Sequence, residues 1–166
     1  MVVQRPVVAF CEFVGLAALG DLVQLAQTAD RCAAEAAGVV GRHGGSSERV
    51  LYDRLLAVFT SPQGAVEALV ELGEVIAARG VGLAVGLAEG DGFDWGRGHL
   101  VARALSQAAA SGEVLLDERL RLRLGELVRC EWAGEHDAVP AWRIRNRGLP
   151  LTGARDRLDV APGLGS

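Results

Sequence analysis

Two acidic residues stand where apolar segments leave little room for them. Glu12 interrupts Val7-Val8-Ala9-Phe10-Cys11-Glu12-Phe13-Val14-Gly15, and Asp53 sits at the turn of Arg49-Val50-Leu51-Tyr52-Asp53-Arg54-Leu55-Leu56-Ala57-Val58-Phe59. Runs such as VVAFCEFV and LLAVF are apolar at successive positions, the pattern of strands covered on both faces. A carboxylate beside such a strand costs on the order of several kcal/mol unless a cation pairs with it. Arg49 and Arg54 are near enough in sequence to be that cation and to make the acids structural. Alternatively, both acids face one cleft and hold a divalent metal on a nucleotide. Spacing alone leaves both answers open.

The elements that must position these acids follow from periodicity and turn residues. The first strand runs from after Pro6 to about Phe13, and Gly15 opens a helix reaching to about Val40. Leu19, Leu22, Val23, Ala26, Ala29, Ala33, Ala37 and Val40 give that helix one apolar face. Gly41-Arg42-His43-Gly44-Gly45-Ser46 turns the chain into a hairpin with Tyr52-Asp53 at its tip. Ser61-Pro62 supplies an N-cap and a first-turn proline for a second helix ending at Gly80. A Gly-spaced strand, 81–87, leads into the Gly-dense loop 89–98. The glycines of that strand imply the close approach of a backbone or a ligand. A third helix covers about 99–110, a short strand 113–116 and a small Arg/Leu helix 117–124. Its alternating Arg119, Arg121 and Arg123 read as a solvent-facing set. Two closing strands, about 128–132 and 139–145, are joined through Gly134-Glu135-His136-Asp137. The order βαββαβαβαββ demands a sheet with helices packed on it. Residues 1–147 read as one domain and 148–166, rich in Gly, Pro and Arg, as a flexible tail.

Composition narrows the function. All 17 basic residues are Arg, which points to a GC-rich genome, and the net charge of -4 argues against a nucleic-acid partner. Cys11, Cys32 and Cys130 are widely spaced and odd in number, as expected of reduced thiols in a cytoplasmic protein. His43, His99 and His136 have no zinc spacing. No apolar run reaches the length of a membrane span, and the first residues lack a signal-peptide pattern. The glycines of 86–98 form neither a Walker nor a dinucleotide-binding motif.

The motifs and their common register resemble the class III adenylate/guanylate cyclase catalytic domain along about Val7 to Arg145. Phe10-Cys11-Glu12-Phe13-Val14-Gly15-Leu16-Ala17 sits on F-A-D-I-V-G-F-T, and His43-Gly44-Gly45 on H-G-G. Tyr52-Asp53-Arg54-Leu55-Leu56-Ala57-Val58-Phe59-Thr60-Ser61-Pro62 sits on G-D-G-L-L-A-V-F-x-S-P. Phe93-Asp94-Trp95-Gly96 resembles F-D-x-W-G, one residue shorter, and Ala108 to Leu116 resembles A-x-P-G-E-V-L. The fold this implies is α+β, a ferredoxin-like βαββαβ core with extra helices and strands.

The resemblance also implies a chemistry. In that family two chains pack head to tail, and each composite site draws on both. Two aspartates of one chain hold Mg²⁺ or Mn²⁺ on a purine nucleoside triphosphate as its 3′-hydroxyl attacks the α-phosphorus. The other chain reads the purine, orients the ribose with an Asn and stabilises the transition state with an Arg. Here Asp53 falls on the second metal aspartate, and Glu12 on the first, one methylene longer. Arg49 falls on the purine-reading Lys, which preserves charge but changes donor geometry. Asp94 lies one place from the second purine-reading position. Gly15, Leu16 and Ala17 fall beside the phosphates. The ribose Asn and transition-state Arg positions are Leu100 and Ala104, with His99 and Arg103 each one place off, or about 100° around a helix. The implied protein is a degenerate cyclase-homology domain, cytoplasmic, paired with itself or with another cyclase-like chain, and holding nucleotide and metal weakly through Glu12 and Asp53. The alternative is an active cyclase, alone or as the metal-binding half of a heterodimer.

Overall fold

The first apolar run is β1 (Val7–Val14), a central strand buried on both sides, which is why its sequence shows no polar alternation. The computed structural model describes residues 5–91 and 96–145; Asp94 and the tail 148–166 therefore lie outside the described residues. These residues form seven strands in one sheet, ordered β2-β3-β1-β4-β5-β7-β6, with four α-helices. The helices are α1 (Leu22–Arg42), α2 (Pro62–Ala77), α3 (Gly96–Ala108) and α4 (Glu118–Leu124). The remaining strands are β2 (Gly45–Leu51), β3 (Arg54–Phe59), β4 (Gly82–Glu89), β5 (Val114–Asp117), β6 (Cys130–His136) and β7 (Val139–Ile144).

The first four strands, antiparallel in the order β2-β3-β1-β4, make the ferredoxin-like core, and β5 continues it in parallel beside β4. On β1, Val7, Ala9, Cys11 and Phe13 enter the main core with residues of α1, α2 and α4. Val8 and Phe10 point the other way and pack with Leu56, Ala88 and Ala102 under α3. Period-two alternation puts Glu12 on this α3 face.

Several boundaries differ from the sequence reading, each for a local reason. The first helix begins at Leu22, capped by Asp21 Oδ1 on the Gln24 amide at 2.8 Å, and not at Gly15. Gly15 (φ 91°) and Gly20 (φ 104°) enclose a 3₁₀ turn, Leu16–Ala18, ahead of it. β2 starts at Gly45, since Ser46 and Glu48 are tolerated on an exposed edge strand where an apolar pattern is not required. The third helix starts at Gly96, three residues early. The last hairpin turns through Asp137 and Ala138, both at positive φ (51° and 62°), while Gly134 lies inside β6, where the register shifts. The helix at Ser61-Pro62 begins where its cap predicts, with Ser61 Oγ accepting from the Gly64 amide at 3.0 Å.

Candidate functional site

Glu12 and Arg54 face each other as register partners of the β1–β3 ladder. Asp53 precedes Arg54 at the tip of the β2–β3 hairpin, and its carbonyl accepts from the Phe13 amide at 2.8 Å, which ties the tip to β1. The two acids are thereby brought together on one side of the sheet. Between them lies a single cation. Arg54 Nε is 3.9 Å from Glu12 Oε2 and 3.8 Å from Asp53 Oδ1, and this nitrogen is buried without a hydrogen bond. All three side chains are between a fifth and a third exposed, so water reaches the rim.

This geometry bears on the divalent ions that the resemblance implies. The space shared by the two carboxylates is taken by the guanidinium. As arranged, these residues do not fit a pair of divalent ions.

The other candidates fall elsewhere. Arg49 is opposite Leu55, whose side chain lies in the α1–α2 core, and it points to that face. Its Nη1 donates to Asp30 Oδ1 of α1 at 2.7 Å, and its Nη2 to the Tyr52 carbonyl at 3.0 Å, so it braces hairpin against helix. Gly15 and Ala17 are exposed, whereas Leu16 is buried in the main core. On α3, Leu100 is 65% exposed and Ala104 half-buried. Arg103 is exposed on the same side, while His99 turns inward to stack on Phe10, with ring centroids 5.7 Å apart. The helix thus presents an isobutyl and a methyl group where ribose and transition-state contacts are expected.

Other charged groups escaped the sequence reading. Arg121 and Arg123 do not simply face solvent. Arg123 Nη1 reaches buried Glu89 at 3.1 Å, which Arg5 also holds at 2.9 Å, and Arg121 lies 4.1 Å from the Trp142 ring centroid. Asp117 caps α4 through the Leu120 amide at 2.9 Å. Burial pushes its carboxyl above the usual range, opposed by bonds from the Leu120 and Glu89 amides. The only sequence signal for these was an acid at the end of each of two apolar strands. A separate cleft of about 720 Å³ opens between α2, β4 and β7, floored by Leu69, Val70, Val81 and Val85 and edged by Glu113 and Arg143. None of the candidate residues lines it.

The fold is that of class III adenylyl and guanylyl cyclase catalytic domains. The crystal structure of the adenylyl cyclase CyaB from P. aeruginosa superposes with a TM-score of 0.73 at 15% identity, over 85% of this chain and 93% of that one. The guanylate cyclase domain of RhGC from Catenaria anguillulae, in complex with GTP, gives 0.74 at 12% identity, over 87% and 98%. A bacterial light-regulated adenylyl cyclase gives 0.71 at 12%, over 87% and 91%. No family model matches the sequence, and no curated protein matches it. No helix among the described residues is long and apolar enough to cross a membrane.

Proposed function

We propose that this chain is a degenerate nucleotidyl cyclase domain that acts as a dimerising, regulatory module in cyclic-nucleotide signalling and not as a self-sufficient cyclase. The observation that carries this reading is α3, where exposed Leu100 and half-buried Ala104 occupy the positions matched to the ribose Asn and transition-state Arg. Loss of a charge-stabilising Arg from a phosphoryl-transfer site costs on the order of 10³-fold in rate. Leucine offers no donor to a ribose or a phosphate, and its 65% exposed side chain is free to meet a second chain. The pairing partner is a second copy or another cyclase-like chain, and a purine nucleoside triphosphate with Mg²⁺ or Mn²⁺ binds weakly.

The test is direct. Purified chain incubated with ATP or GTP and Mn²⁺ releases no cyclic nucleotide above blank, and sedimentation detects self-association or association with a cyclase chain. Product from this chain alone overturns the reading. Product that appears only on mixing with a second cyclase chain, and disappears with Asp53→Ala, makes this chain the metal-binding half of a heterodimer instead.

A further inference from the structure

We infer that Arg54 is a built-in counter-cation, which takes the place of a divalent ion between Glu12 and Asp53 and closes the site as a metal-free ion triad. The inference rests on the reading of a degenerate site, and gives its weak metal binding a specific cause.

Three observations converge on it. Arg54 Nε is nearly equidistant from one oxygen of each acid, at 3.9 and 3.8 Å. The backbone enforces that placement. Glu12 and Arg54 are register partners, Asp53 adjoins Arg54, and the Phe13 amide holds the Asp53 carbonyl. The ladder sets these side chains beside one another, so the Arg54 guanidinium reaches both acids from its own strand.

The second observation is the buried Nε that makes no hydrogen bond. An Arg serving only as a structural clamp would be expected to form the forked, two-bond contact with a carboxylate. Here the guanidinium lies between two acids at charge-pairing distance and forms that contact with neither. It offsets part of the charge of both instead of bonding one.

The third is charge. Two carboxylates and one guanidinium sum to a formal -1. A divalent ion entering between the acids would lie against the guanidinium and be repelled by it, so metal, and a triphosphate carried on it, is held only weakly.

Removing Arg54 should therefore create a divalent-ion site. In Mn²⁺ titrations followed by electron paramagnetic resonance, Arg54→Ala binds Mn²⁺ at least about tenfold more tightly than the unsubstituted chain. Adding Glu12→Gln or Asp53→Asn to Arg54→Ala abolishes the gain. Arg54→Gln, which retains polar bulk, gives the same direction should the alanine variant fold poorly. Equal Mn²⁺ affinity with and without Arg54 overturns the proposal. So does tight Mn²⁺ binding to the unsubstituted chain that Asp53→Asn removes, a measurement independent of any Arg54 variant. Tight Mn²⁺ binding without cyclic product would remove the triad alone, whereas cyclic product would remove the regulatory reading.

Discussion

A β-carbon on Gly86 would come within 2.0 Å of the Ala102 carbonyl oxygen. The α3 backbone thus rests directly on β4, and this close approach explains the glycine in the middle of a buried strand. It also fixes the rotation of α3. His99 and Arg103 could reach the matched ribose and transition-state positions only if the helix slipped by one residue, and its seat on Gly86 and its stack on Phe10 oppose that slip.

Gly86→Ala tests this seat. The added methyl must displace helix backbone, not a flexible side chain, so the loss in stability should be about 2 kcal/mol or more. Urea unfolding should show a lower midpoint with an unchanged slope. A loss within about 0.5 kcal/mol would mean that α3 is free to shift.

Leu100→Glu separates association from folding. At 65% exposure the side chain contributes little to the fold, so stability at high dilution should change by no more than about 0.5 kcal/mol. A charge placed in an apolar contact should weaken self-association or partner binding at least about tenfold, read by sedimentation equilibrium. Unchanged association would move the dimer contact away from α3.

Asp117 sets a pH dependence of unusual sign. Its carboxyl is raised above the ordinary aspartate value of 3.8, first by burial. The folded chain therefore holds this proton more tightly than the unfolded chain. The contribution to stability is complete below 3.8 and is lost as pH rises through the elevated folded value. Asp117→Asn keeps a cap acceptor for the Leu120 amide while removing the titration. The variant should lose that falling component above pH 3.8 and match or exceed the parent near neutrality, as measured by thermal unfolding across pH.

The β6–β7 turn carries strain that one substitution relieves. Ala138 has φ 62°, a conformation that costs a residue with a β-carbon roughly 1 kcal/mol and glycine almost nothing. Ala138→Gly should raise stability by up to about 1 kcal/mol. A decrease would show that the turn is held by contacts of the Ala138 methyl.

The order of elements was legible in the sequence because it is written in local terms. Ser61-Pro62 marks a helix start wherever the helix packs, and the unbroken apolar run at 7–14 requires cover on both faces. The polar edge strand at 45–51 was only half legible, since an edge needs no apolar pattern.

What the sequence determined by itself was the set of elements, their family-like register and the presence of acids at 12 and 53 with arginines nearby. Which arginine meets which acid was decided only in three dimensions. Arg49 and Arg54 carry the same charge and sit on the same hairpin, yet strand alternation and the irregular register at 49–51 send them to opposite faces of the sheet. One braces α1 through Asp30 and the other stands between Glu12 and Asp53. The physical reason is that side-chain direction in a strand depends on ladder register, and the register is set by contacts between residues far apart in the chain.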